Sequence, residues 1–291
     1  MMPIIPESEL IINARGAIYH LGILPEELAD TVITVGDPDR VAEVSRHFDH
    51  IECKLQHREF VTHTGTLRGK RLSVISTGIG PDNIDIVMNE LDALVNIDFR
   101  TRMVREQRRS LRIIRLGTSG SLQADIPVDS FVASTYGIGM DNLMHYYRTE
   151  HQEDERQILQ AFITQTQLQS HLSQPYVFAG STALLKEFTH GIFHGITVTC
   201  PGFYGPQGRV LRLGLALPEL NQRLTGFSFG NHRVTNFEME TAAIYGLGRL
   251  LGHQTLSLSA IVANRVDMTF SADAGATIDK LIRTALGVLT D

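Results

Sequence analysis

Two stretches of the sequence could hold an anion. Gly36-Asp37-Pro38-Asp39-Arg40 directly follows a β-branched run. Gly36 lets backbone approach a ligand closely. Pro38 suits the first turn of a helix, where N–H groups can face an anion. Arg40 adds a planar donor fork that matches phosphate. The same residues also read as an Asp-Pro turn capping a helix, with Arg40 in a surface ion pair. Arg115-Leu116-Gly117-Thr118-Ser119-Gly120 sets a guanidinium inside an apolar run, followed by hydroxyls and glycines. Burying a guanidinium is costly without a fixed anionic partner, and hydroxyls with exposed amides in a glycine-rich turn are good phosphate donors. A buried carboxylate would serve as that partner equally well. No Gly-Lys-Ser or Gly-Lys-Thr follows, so the stretch is not a P-loop.

Other motifs offer sugar and ring chemistry. Phe237-Glu238-Met239-Glu240 reads as the opening of a helix, where carboxylates favour the dipole. A carboxylate there could also accept from the vicinal hydroxyls of a sugar, with Met239 packed on its apolar face. Phe203-Tyr204-Gly205-Pro206-Gln207-Gly208-Arg209 is a loop by its Gly and Pro content. Gln207 both donates and accepts while Arg209 only donates, a pair suited to a flat ring with mixed edges, and Phe203 could stack on that ring. The alternative is an exposed flexible loop. Asn264-Arg265 closes an apolar run with a cation that could meet a carboxylate or a ligand oxygen. His57-Arg58-Glu59-Phe60 alone reads as a solvated strand edge, and His57 and Glu59 have no further sequence neighbour to complete a metal site.

These motifs need elements to position them. Thr31–Val35, Arg71–Ser76, Leu111–Leu116, Val128–Thr135, Thr197–Cys200 and Thr255–Ala263 read as strands, the third ending in a turn at Gly117. The residues 82–96 carry apolar side chains at helical spacing, and further helices are expected over Glu238–Leu251 and Ala272–Leu289. Alternating strands and helices predict an α/β domain with a mostly parallel or mixed sheet. Ligand sites of such sheets gather beyond the carboxyl ends of the strands, where most of the motifs lie. No composition break divides residues 1–291, so one domain is expected. Arg100–Arg112 holds six arginines; a solvated helix or loop is favoured over an anion patch because the chain as a whole is acidic.

The 291 residues are 43% hydrophobic and 20% charged, with a formal net charge of −6. That balance argues against broad nucleic-acid or membrane binding. Two cysteines make no disulfide framework, the first residues carry no basic signal-peptide segment, and the longest apolar runs are too short to span a bilayer. A reducing cytoplasm is the expected location. No metal-ligand spacing is present.

Taken in order, Gly-Asp-Pro-x-Arg, His-Arg-Glu-Phe, Ser-Thr-Gly-Ile-Gly, Arg-x-Gly-Thr-x-Gly, Glu-Met-Glu and Asn-Arg, together with Tyr19-His20-Leu21-Gly22, resemble the uridine phosphorylases within the nucleoside phosphorylase family. The resemblance spans about residues 17–290. It implies one α/β domain with a central mixed sheet, partly barrel-like and flanked by helices. It implies reversible cleavage of uridine by inorganic phosphate, a co-substrate, with no metal or organic cofactor. It places Gly36, Arg40, Arg115 and Thr118 in the phosphate cradle, with Arg58 added by a neighbouring subunit. Met239 and Glu240, with Glu238 beside them, grip the ribose, and His20 reaches it across the same interface. Gln207 and Arg209 read uracil, Gly120 and Phe203 line the base pocket, and Arg265 supports Gln207 or a water. A homodimer, or a hexamer of dimers with shared sites, follows from this, as does loss of turnover with an intact fold in Arg115→Ala.

Purine-cleaving members of that family carry Ser-Asp where this chain has Asn264-Arg265. An arginine cannot act as an acid on a purine nitrogen near neutral pH, which favours a pyrimidine; Asp267, two residues on, keeps a purine reading open. A nucleosidase using water has little use for Arg40, Arg58 and Arg115, and a non-catalytic binding protein would be expected to lose the cradle or the ribose grip. The chain departs from the family in its base loop, where relatives often have Pro-Gly-Gln-Glu-Arg, in Phe237 for a frequent tyrosine, and in Asp82 at a position often serine near a monovalent-cation site. Arg100–Arg112 looks like an insertion.

Overall fold

The computed structural model describes residues 3–168 and 174–291. Its first half comprises β1 (Thr31–Val35), α1 (Pro38–Ser45), β2 (His50–His57), β3 (Phe60–Leu67), β4 (Lys70–Ser76), α2 (Pro81–Asn96), the short β5 (Ile97–Asp98) and β6 (Met103–Val104), β7 (Arg112–Ser121) and β8 (Phe131–Gly139). Then come α3 (Glu153–Thr166), β9 (Tyr176–Ala179), α4 (Thr182–Glu187), β10 (Phe193–Thr199) and α5 (Leu220–Thr225). The chain continues through β11 (Ser228–Phe229), β12 (His232–Glu238), α6 (Thr241–Leu251), β13 (Gln254–Asn264), β14 (Thr269–Phe270) and α7 (Ala274–Thr290).

The main sheet is mixed and runs β2-β3-β4-β1-β7-β13-β8-β10-β12. Strand β12 returns to β7 through Asn236–Ser121 and Phe237–Gly120, so β7, β13, β8, β10 and β12 close on themselves. This is the α/β architecture with a partly barrel-like sheet that the sequence leads one to expect. Side chains of β1 alternate between two layers: Val32 packs with residues of α2 and α6, while Ile33 and Val35 pack with residues of α1 and α7. A strand covered on both faces reads as an unbroken apolar run. Inside the closed part, buried polar groups form a connected chain. Ser134 and Thr197 share a 2.5 Å hydroxyl contact, Thr197 donates to Asn236, and Asn236 donates to Ser119. A network satisfied in this way fixes one arrangement of the strands.

Several boundaries differ from the sequence reading. Strand β7 does not end at Gly117 but runs to Ser121, because β13 pairs along its whole length. The Arg115–Gly120 motif therefore lies in a strand and not in a turn. Strand β8 starts at Phe131 because Asp129 takes a left-handed φ of 65° and makes the preceding corner. Helix α6 begins at Thr241, leaving Glu238 at the end of β12. His57 pairs with Phe60, so Arg58-Glu59 is the tip of the β2–β3 hairpin. The arginine-rich stretch contains β6, which pairs back with β5, and otherwise runs without helix to the start of β7. Arg102 holds carbonyls of the N-terminal segment, and Arg109 and Arg112 pair with Asp30 and Glu187, while Arg100, Arg105 and Arg108 are exposed.

Candidate active site

The carboxyl ends of β1, β4, β12 and β13 and the middle of β7 surround one cavity of about 760 Å³. Gly36, Arg40, Arg115, Thr118, Gly120, Phe203, Gln207, Arg209, Glu238, Met239 and Glu240 all line it. Distant stretches of the sequence are thus brought to one place.

At one end sit two guanidinium groups. Arg115 is 7% exposed. Its Nη2 donates to Glu240 Oε2 at 2.5 Å and lies 3.1 Å from Glu238 Oε2. Its Nη1 is buried with no hydrogen-bond partner among the described residues, and neither has Arg40 Nε. A Cβ on Gly117 would lie 2.1 Å from Arg115 Nη1, so only glycine lets the guanidinium fold back along its own strand. Burial lowers the pKa of Arg115, but the two carboxylates more than reverse this and leave it raised. Burial lowers the pKa of Arg40, and the charge of Arg115 acts in the same direction. Two desolvated cations with unused donors are what the binding of an anion requires.

The end of β12 and the start of α6 supply the middle of the cavity. Glu238 accepts from Thr199 Oγ1 at 2.7 Å, from Glu240 N at 2.8 Å and from Thr241 N at 3.0 Å. It therefore caps the open N–H groups of α6, as expected for a carboxylate at a helix start. Glu240 accepts from Gly80 N at 2.8 Å and from Arg115. Its pKa is raised, chiefly by burial and further by the charge of Glu238, with Arg115 opposing. Met239 is half-buried between them.

The other end is cationic and aromatic. Gln207 is 3% exposed, and its Oε1 accepts from Arg209 Nη1 at 2.5 Å. The Arg209 guanidinium lies 3.8 Å from the Phe203 ring centroid. One face of the Phe203 ring thus carries a cation. Burial, and then the charge of Arg265, lower the Arg209 pKa to about 10. Arg265 does not line the cavity; it reaches the loop from behind, toward the carbonyls of Gln207 and Gly208 at 3.5 and 3.4 Å. Gly120 leaves room for Phe237, whose ring would come within 3.1 Å of a Cβ there. Asn264 is buried and structural: its amide donates to Gln123 and Ile126 carbonyls, and its oxygen accepts from Val266 N and Asp267 N. Asp267 is exposed and does not line the cavity.

His20 and Arg58 also lie outside the cavity, but together. His57 Nδ1 contacts the His20 carbonyl at 2.9 Å, and Arg58 sits 5.6 Å from the Tyr19 ring. Glu90 fixes the segment, accepting from His20 N and Leu21 N and contacting His20 Nδ1 at 2.7 Å. Glu59, next to Arg58, borders the cavity together with Asn83, Val262 and Phe270. Glu59 belongs to the His-Arg-Glu-Phe motif; the other three do not stand out by residue type in the sequence, and only the fold brings them here. Thr199 was missed too, since one hydroxyl at a strand end carries no signal of its own.

Among the described residues, no group of three or more His, Cys, Asp or Glu side chains is gathered for a metal ion, and no helix is long and apolar enough to cross a membrane. A family model described as the phosphorylase superfamily matches residues 30–290. The chain is 29% identical over 263 residues to a uridine phosphorylase of Thermococcus kodakarensis, covering 88% of this chain and 80% of that one. It is 26% identical over 274 residues to a DeoD-type purine nucleoside phosphorylase of Streptococcus suis, covering 93% and 98%. Its fold matches that of a Trypanosoma brucei nucleoside phosphorylase, described as showing uridine phosphorylase activity, with a TM-score of 0.88 at 31% identity over 96% of this chain and 99% of that one.

Proposed function

The chain belongs to the phosphorylase superfamily, and from that premise we propose that it cleaves uridine with inorganic phosphate, giving uracil and ribose 1-phosphate. The observation that carries this reading is the pair of desolvated arginines lining one cavity, Arg115 and Arg40, each with a buried donor nitrogen that has no partner among the described residues. Phosphate fits there, with Gly36 and Thr118 beside it. Ribose lies over Met239 with its hydroxyls on Glu240, and uracil lies against Gln207 and Arg209.

In this arrangement a phosphate oxygen attacks the anomeric carbon as the bond to the base nitrogen breaks. The bond's electron pair passes to uracil, whose carbonyl oxygens gain negative charge, while the sugar becomes cationic. The arginines hold the nucleophile in line. Gln207 and Arg209 donate to the charge that develops on the base. The reaction needs no cofactor beyond phosphate itself.

The base end favours a pyrimidine. A purine leaving group benefits from an acid on its ring nitrogen. The carboxylates lining the cavity, Asp37, Glu59, Glu238 and Glu240, all belong to the phosphate and sugar end. Asp267, the residue that kept a purine reading open, is outside. His20 and Arg58 complete the site of a second copy in this proposal, so the active form is at least a dimer.

The test is to incubate the protein with uridine, inosine and 5′-methylthioadenosine, each with and without phosphate, and to follow release of base. Release is expected from uridine and only with phosphate. Release from inosine, or release without phosphate, refutes the assignment.

A further inference from the structure

Building on the phosphorolysis reading, we infer that Glu238 is a positioning residue for Arg115 and touches no sugar hydroxyl, leaving the ribose diol to Glu240 alone. An ionised carboxylate offers about four acceptor positions. Those of Glu238 are all taken within the protein. Its Oε1 receives Thr199 Oγ1 at 2.7 Å and its Oε2 receives Glu240 N at 2.8 Å, Thr241 N is shared between the two at 3.1 and 3.0 Å, and Arg115 Nη2 lies 3.1 Å from Oε2.

Glu240 is different. Among the described residues it accepts only from Gly80 N at 2.8 Å, on one oxygen, and from Arg115 Nη2 at 2.5 Å, on the other. Each oxygen keeps an acceptor position, and two are what vicinal hydroxyls require.

The two carboxylates together define how Arg115 sits. Both claim the same nitrogen, Nη2. That fixes the guanidinium plane and leaves Nη1, which has no partner among the described residues, to reach the anion. Glu238 is in turn held by the first N–H groups of α6 and by Thr199, which also accepts from Ala242 N at 2.8 Å. The orientation of the phosphate-binding arginine is thereby tied to the start of a helix.

The test uses charge-preserving variants. Inorganic phosphate is titrated calorimetrically into the wild type, E238D, T199V and T199S, with melting curves recorded alongside. E238D keeps the charge but is too short to reach Arg115 and the cap together. Its phosphate affinity should fall about tenfold, as for loss of one charge-assisted hydrogen bond. T199V should weaken phosphate severalfold, and T199S, which keeps the hydroxyl, should restore it. The rate ratio of uridine to 2′-deoxyuridine should stay at the wild-type value in E238D and T199V and fall in E240D. A role in helix stability alone would move the melting curves and leave phosphate affinity unchanged. Unchanged phosphate affinity in folded E238D or T199V, or a changed substrate ratio in either, overturns the inference; if E238D does not fold, the threonine pair decides. A wild type that binds phosphate but leaves uridine intact refutes the proposed reaction, while the phosphate titrations still judge Glu238.

Discussion

Replacing Arg115 by methionine keeps much of the side chain's length and removes its charge. The sequence alone suggests that losing this arginine stops turnover and spares the fold. The structure adds a cost, because Glu238 and Glu240 are 4% and 5% exposed and Arg115 is the cation between them. Removing one partner of a buried ion pair costs about 3–5 kcal/mol. For a chain of this size that is a drop in melting temperature of roughly 6–10 °C near neutral pH. The fold should survive, since domains are stable by about 5–15 kcal/mol. The loss should also depend on pH. Without Arg115, burial and the charge of Glu238 are no longer opposed, and they raise the Glu240 pKa further. A folded-state pKa above the unfolded value of about 4.3 makes the folded form hold a proton that the unfolded form releases. The penalty is therefore small at low pH and grows as pH rises through the folded value. Melting curves at pH 5 and pH 8 read this directly: the deficit against wild type should be clearly larger at pH 8. Turnover should fall by about 10²–10³-fold. A deficit that is absent, or equal at the two pH values, would refute the picture of two charged carboxylates bracketing one arginine.

Gly117→Ala tests the same guanidinium from the other side. Its methyl group would occupy the space of Arg115 Nη1, 2.1 Å away, so phosphate affinity measured by calorimetry should fall by at least about tenfold; unchanged affinity would mean that Nη1 does not face the anion. Shared sites predict complementation: Arg58→Ala and Arg115→Met should each be nearly inactive, and an equal mixture unfolded and refolded together should recover roughly a quarter of wild-type turnover, because half of random dimers carry one intact site of two. No recovery would place Arg58 outside the site.

Much of the architecture was legible from strand-like apolar runs that proved to be covered on both faces, such as Thr31–Val35. The candidate site residues stand in the sequence as an ordered set of motifs more than as single positions, and the fold gathers most of them round one cavity. What escaped was set by tertiary pairing. Gly117 reads as a turn because glycine usually ends strands, yet here β13 pairs past it and the glycine answers to the bulk of Arg115. Glu238 and Glu240 look alike in sequence, and only their donors separate a helix cap from an open acceptor. Phe203 reads as a stacking surface, and nothing in the chain order reveals that Arg209 folds back onto it. Asn83, Val262 and Phe270 border the cavity through the path of the backbone, which a single sequence does not encode in residue type.

Charge balance gives a reason for the proposed sharing of one site by two copies. Within one chain, Arg40 and Arg115 share the phosphate and sugar end of the cavity with four carboxylates, Asp37, Glu59, Glu238 and Glu240. A phosphate group adds about −1.5 to −2 to an end that already holds more carboxylates than arginines, and a buried excess of negative charge is unfavourable. Another cation is needed. Arg58 lies outside this chain's own cavity, grouped with His20 by the contacts of His57 and Tyr19, while Glu59 beside it borders the cavity. Arg58 also has a left-handed φ of 54° at the tip of a tight hairpin. Glycine, asparagine or aspartate would hold that conformation at lower cost. Arg68, at the tip of the β3–β4 hairpin, holds a similar φ of 50°, so the conformation belongs to the tight turn and it is the placement of Arg58 that matters. A hairpin tip that puts a guanidinium outside its own cavity is what a donor to a neighbouring copy requires. The carboxylate-rich end of the cavity is what such a donor would complete.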